Sequence, residues 1–214
     1  MNGILPLWKE RGMTSHDCVF KLRKILKTKK VGHTGTLDPG VEGVLPICIG
    51  QATRIAEYLT DAGKTYEAVV AIGRTTTTED AEGETVEQDT TNKSFTRTQI
   101  LQALKTLTGD IQQTPPMFSA VKVNGKKLYE YARAGQTVER PTRQVTIYEL
   151  ELLSEEENFE GQDVYFSIRI KCSKGTYIRT LAVQIGEALG YPAHMHELVR
   201  TASGTFSKEN CLTL

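Results

Sequence analysis

The chain has 214 residues, 39% of them hydrophobic and 24% charged, which describes a folded globular protein and excludes a disordered or fibrous one. Its 26 Lys+Arg balance 26 Asp+Glu, which argues against a protein that holds nucleic acid by bulk positive charge. The four cysteines, Cys18, Cys48, Cys172 and Cys211, form no CxxC pair, so a zinc or redox site is not expected. The N-terminus is charged too early for a signal peptide, no apolar run has membrane-spanning length, and a cytoplasmic location is expected.

In chain order, Ser15 is placed as the N-cap of a helix that carries Val19, Leu22, Ile25 and Leu26 at helical spacing. Six of the ten residues from Lys21 to Lys30 are Lys or Arg and none is acidic. Such a run is usually a solvated face, but its place just before a glycine-rich loop favours a surface that meets phosphates. The loop spans residues 32–43, and Val44 to Ile49 reads as a buried strand. A short helix is expected from Thr53 to Leu59 and a strand from Tyr66 to Ile72. The polar stretch Arg74 to Ser94 reads as an exposed loop. Thr96-Arg97-Thr98-Gln99 has capping-box spacing and opens a helix that stops at Gly109. Val121 to Val123 is a strand entering an Asn124-Gly125 turn, and Lys127 to Arg133 is helical, with Gly135 as its stop. Val145 to Leu153 and Val164 to Cys172 form a strand pair, and Ile178 to Leu189 is a helix closed by Gly190. Ser207 to Leu214 reads as lacking a finishing element. Strands and helices mix without a steady βαβ rhythm, so one α+β domain over residues 1–214 is expected.

The segment Gly32-His33-Thr34-Gly35-Thr36-Leu37-Asp38-Pro39-Gly40 holds one acid among three glycines and a proline. Pro39 restricts Asp38 to extended dihedrals. Taken locally, Asp-Pro-Gly is ordinary turn chemistry. A phosphate cradle of the Walker type lacks its Gly-Lys-Ser/Thr end, and a nucleotidyl-transferase loop lacks its second histidine. Local spacing leaves these readings open.

The longer pattern is more specific. The loop followed by Gly43-Val44-Leu45-Pro46 resembles the signature of the tRNA pseudouridine synthases of the TruB family. Gly12-Met13-Thr14-Ser15, Lys64-Thr65-Tyr66, Pro115 to Lys122, Lys174-Gly175-Thr176-Tyr177-Ile178-Arg179 and Leu198-Val199-Arg200-Thr201 continue the resemblance in order, from about Gly3 to Phe206. It implies a mixed, mainly antiparallel sheet flanked by helices and an enzyme that isomerises the T-loop uridine of tRNA. Asp38 would be the nucleophile, holding one fragment covalently while the uracil turns, at pyrimidine C6 or ribose C1′. Arg179 would keep it ionised and aimed, and Tyr66 would lie against the uracil and assist proton removal from C5. Tyr177 and Leu198 would line the pocket. His33 would fill the space left by the flipped base.

The resemblance implies no cofactor and no metal, tRNA (its T-arm stem-loop) as partner, no membrane association, and a monomer. Four positions depart from the family pattern: Glu10 replaces the proline of Lys-Pro after Lys9, Val41 and Glu42 replace small or hydroxyl residues, and Thr77 stands where an acid is frequent. The family's C-terminal RNA-binding domain of the PUA type is expected to be absent. A catalytically silent RNA-binding relative, a nucleotide-binding transferase and a synthase acting on another RNA are the competing readings.

Overall fold

The computed structural model describes residues Met1–Leu214. Its elements in chain order are β1 (Gly3–Lys9), α1 (Ser15–Ile25), β2 (Val31–His33), β3 (Glu42–Ile49), a 3-10 turn (Gly50–Ile55), α2 (Ala56–Asp61), β4 (Lys64–Ile72), β5 (Arg74–Thr76), β6 (Thr85–Gln88), β7 (Lys93–Thr96), α3 (Arg97–Thr106) and β8 (Gly109–Gln113). There follow β9 (Lys122–Val123), β10 (Lys126–Lys127), α4 (Leu128–Arg133), β11 (Arg143–Leu152), β12 (Asn158–Gly161), β13 (Val164–Cys172), α5 (Ile178–Leu189), β14 (Ala193–Ser203), β15 (Phe206–Ser207) and a 3-10 turn (Lys208–Asn210). The main sheet runs β1-β3-β14-β4-β13-β11-β8, with β2 beside β3 and β15 beside β14. β1–β3, β2–β3 and β11–β8 are antiparallel and β14–β3 is parallel, so the expected mixed, mainly antiparallel α+β sheet is present. No helix is long and apolar enough to cross a membrane.

The folded chain has two compact units: Met1–Glu67 with Lys171–Lys174 and Leu198–Leu214, and Ala68–Ile170 with Gly175–Glu197. In the first unit, seven of the eight β3 residues are buried, the signature of a strand covered on both faces. Its residues Val44, Leu45 and Ile47 share the core with Leu7, Val19 and Leu22. α1 is capped by Thr14, whose hydroxyl accepts from the Asp17 N–H while Asp17 reaches back to the Thr14 N–H. The cap is therefore one residue earlier than expected. The C-terminal tail does have a finishing contact: the Trp8 N–H donates to the Leu212 carbonyl and the Leu212 N–H to that of Pro6, so the tail pairs with β1.

In the second unit, the capping box at Thr96 and Gln99 opens α3 as its spacing predicts. Gly109, expected only to stop that helix, begins β8 at φ +97°. Asn124 and Gly125 both take positive φ, the requirement of the tight turn read from their sequence. The stretch 74–94 differs from expectation. β5 and β6 form an antiparallel hairpin, and β7 pairs with β12, which lies in the acidic segment after Glu155-Glu156-Glu157. All four β6 residues are exposed, so this hairpin leaves no apolar alternation to read.

Candidate active site

The loop joining β2 to β3 has few regular hydrogen bonds of its own, yet side chains from elsewhere in the first unit meet its backbone at nearly every step. Ser15 is buried, and its hydroxyl accepts from the Leu37 N–H at 2.9 Å and donates to the Leu37 carbonyl at 3.2 Å. It therefore grips the peptide immediately before Asp38. The Pro39 carbonyl, on the other side, accepts from the Gly12 N–H and from Lys9 Nζ. Lys9 Nζ also donates to the Glu10 and Met13 carbonyls. Burial lowers the Lys9 pKa, and the charges of Cys18 and Asp38 oppose that shift. Thr34 donates to the Pro46 carbonyl through both its N–H and its hydroxyl. Asp38 itself is only partly buried. An irregular backbone this thoroughly satisfied is rigid, and it holds a carboxylate that solvent can reach.

Tyr66 lies on β4, two residues from Lys64, so both side chains share a strand face. It is 8% exposed. Burial raises the pKa of its hydroxyl, while the charge of Arg200 pulls the other way; Asp38 also acts on it electrostatically. The first unit thus brings Asp38 and Tyr66 into electrostatic reach of one another. Lys64 Nζ donates to the Thr60 and Ala62 carbonyls, closing the end of α2. Leu198 is 9% exposed and shares a face of β14 with Arg200.

His33 ends β2 half-buried, and its Nδ1 accepts from the Gly35 N–H at 3.4 Å, which leaves Nε2 to carry the proton. Burial, followed by the charges of Arg200 and His16, lowers its pKa, so the ring is neutral near pH 7. A neutral, partly exposed imidazole is suited to stacking on a base.

Arg179 and Tyr177 belong to the second unit. The Tyr177 backbone at the start of α5 is held on both sides by the buried Gln113, which accepts from its N–H and donates to its carbonyl. Two residues on, Arg179 is buried, with Nη1 on the Thr78 carbonyl and Nη2 on the Phe118 carbonyl, each at 3.0 Å. Nη1 also lies 3.8 Å from the Asp80 carboxylate. Asp80 lies in the stretch 74–94 that the sequence reads as an exposed loop, and the sequence alone assigns it no role. It supplies an acid to this loop although Thr77 departs from the family pattern. Its neighbour Glu79 has φ +63° and accepts from the Thr180 hydroxyl at 2.7 Å, and burial raises the Glu79 pKa. No three His, Cys, Asp or Glu side chains gather closely enough to ligate a metal ion.

A glycine loop braced by the buried Lys9 and Ser15 around one reachable aspartate, with the buried Tyr66 in its electrostatic reach, suits carboxylate chemistry of the pseudouridylate synthase class. Residues 23–178 match the model of the TruB family pseudouridylate synthase N-terminal domain, and residues 179–214 match that of the tRNA pseudouridylate synthase B C-terminal domain. The chain belongs to the TruB family. It is 65% identical over 214 residues to tRNA pseudouridine synthase B of Geobacillus thermodenitrificans (strain NG80-2), covering all of this chain and 71% of that protein. The protein of the same name from Listeria monocytogenes serotype 4b (strain F2365) is 67% identical, with 70% of its length covered. Among solved structures, the fold matches a chain of a Cbf5–Nop10–Gar1 complex at TM-score 0.70 and 38% identity, covering 99% of this chain and 52% of that one. An H/ACA ribonucleoprotein bound to a substrate RNA containing 2′-deoxyuridine gives TM-score 0.69 and 33% identity, with 50% of that chain covered. The chain thus spans about half the length of these structural relatives.

Proposed function

We propose that this chain isomerises the T-loop uridine of tRNA to pseudouridine, with Asp38 as nucleophile. Pseudouridine formation in tRNA is the activity named for its relatives at 62–67% identity. The observation that carries the finer reading is the bracing of Asp38: its two neighbouring residues are held through Leu37 and Pro39, while the carboxylate stays accessible. A nucleophile must be aimed at a reacting carbon to within a fraction of an ångström, and a braced loop supplies that aim.

In this reading the uridine leaves its stack, and unstacking costs a few kcal/mol. The neutral His33 ring offers a surface for the RNA left behind. Asp38 attacks and holds one fragment while the uracil rotates and C5 bonds to the ribose. The hydroxyl of Tyr66 assists loss of the C5 proton, and Arg179 is the counter-ion that aims Asp38. Tyr177 and Leu198 line the base pocket. The exposed lysines of α1 meet the RNA phosphates. The net change is an isomerisation, so atoms and electrons balance without a co-reactant.

The test is release of tritium from C5-labelled uridine in a T-arm stem-loop, without added cofactor. Wild type should release tritium and Asp38→Asn should not. Activity in the variant would remove Asp38 from the nucleophile's role. Binding without release by wild type would instead favour a silent RNA-binding protein.

A further inference from the structure

Arg200 heads the fully buried side chains of the protein by volume. A guanidinium has five N–H donors and no acceptor, and burying it costs several kcal/mol unless those donors are met. The partners here share a location. Nε donates to the Val44 carbonyl at 2.7 Å, Nη2 to that of Gly35 at 3.2 Å, and Nη1 to that of Thr36 at 3.4 Å. Its positive charge also reaches the buried Tyr66 hydroxyl. Gly35 and Thr36 lie on the arm leading from β2 to Asp38, and Val44 lies on the arm that returns as β3. One side chain therefore ties both arms of the loop together and sets its charge near the tyrosine.

The backbone of Arg200 is engaged as well. It pairs with Gly43 in the parallel β14–β3 register. A Cβ built on Gly43 would lie 2.6 Å from the Arg200 nitrogen and closer still to its carbonyl oxygen. Only glycine permits this approach, and it brings the loop's return arm directly against the strand that carries the arginine.

The donor-only chemistry of arginine has a directional consequence. The positive charge of Arg200 draws the Tyr66 oxygen's lone pairs toward it, so the hydroxyl proton is turned elsewhere. We propose that Arg200 is the positioning residue of this active site: it fixes the backbone leading to Asp38 and the orientation of the Tyr66 hydroxyl in one frame. It acts through those two groups and does not itself touch the substrate. The inference rests on the reading of Asp38 as nucleophile and Tyr66 as its partner.

A core-filling arginine would affect stability alone, so the test reads turnover and coupling. Arg200→Lys keeps a buried cation but cannot reach all three carbonyls at once. We expect kcat on the T-arm stem-loop to fall about 100-fold, as for an ångström-scale misplacement, with KM changing less than about threefold. In the Tyr66→Phe background, where the hydroxyl is already gone, the same substitution should cost less than about tenfold, a coupling expected of contacting groups.

Full additivity of the two substitutions, or loss of thermal stability with kcat intact, overturns the proposal. Arg200→Gln and Arg200→Met are the second variants should the lysine form not fold. If none of the three folds, the arginine is purely structural and the proposal is likewise overturned. Retained activity in Asp38→Asn would defeat the underlying reading, whereas an additive cycle with an inactive Asp38→Asn defeats this inference alone.

Discussion

Two groups of cations in the first unit do opposite things. Around the glycine loop, Lys9 and Arg200 are buried and spend their donors on carbonyl oxygens of the chain. On α1 and just beyond it, Lys21, Lys24, Lys27, Lys29 and Lys30 are exposed, and only Arg23 in this run reaches back to a backbone carbonyl, that of Val31. A buried cation works by geometry: it is costly to desolvate and therefore rigid once satisfied. An exposed cation works by long-range charge, which salt screens. Residues of one charge type thus divide into an inner set that shapes the site and an outer set available to RNA.

The inner set can be broken most severely at Gly43. Gly43→Ala would force a methyl group against the Arg200 backbone at φ +140°, and we expect it to cost about 3 kcal/mol of stability. Gly12→Ala is the control: φ is +88° but nothing lies within 4 Å of the new atom, so only the backbone penalty of about 1 kcal/mol should appear. Urea midpoints at unchanged m would measure both. Equal costs would show that the loop does not need the close approach to Arg200.

The same contrast explains what could be read from the sequence. Asp38, Tyr66 and the other proposed site residues were legible because they fall in several motifs in order, and α3, α5 and the Asn124-Gly125 turn because their caps and turn residues have local causes. Ser15 was misread as a cap because serine chemistry suits a cap; its bond partner, Leu37, is 22 residues away. Arg200 was visible as a letter of the Leu198-Val199-Arg200-Thr201 motif but had no role there, since nothing local says that an arginine is buried. Lys9 and Gln113 were missed for the same reason: their partners are loop and helix backbones brought together only by folding. β14 mixes His, Glu and Arg with apolar residues, and that composition hides a strand.

A smaller effect is expected at His33, which lies on the boundary between the two sets. Burial and the Arg200 charge hold its pKa below the ordinary 6.5. The unfolded chain therefore takes up a proton at higher pH than the folded one does. Stability is fully present above the unfolded value and falls as pH drops through about 6.5 toward the lower folded value. His194 is shifted in the same direction by burial, so it should contribute a slope of the same sign. Unfolding midpoints from pH 7.5 down to 5 should decline less steeply for His33→Asn than for wild type. An unchanged slope would mean that His33 protonates freely in the folded state and is not held neutral for stacking.

The outer set should respond least in stability and most in salt dependence. Lys24→Ser, Lys27→Ser and Lys30→Ser together remove three exposed cations that take no part in bracing the loop, and Lys24 also gives up a contact over the exposed Phe20 ring. Stability should change by no more than about 0.5 kcal/mol. If each lysine neutralises a phosphate, the log–log slope of tRNA affinity against salt should flatten by roughly 0.7 to 0.9 per lysine removed. The pH dependence set by His33 and the coupling between Arg200 and Tyr66 should be untouched, because neither involves these exposed lysines. A triple variant with the wild-type salt slope would leave the basic run as a solvated helix face. One that lost the Arg200–Tyr66 coupling would show that the two sets of cations are not separate.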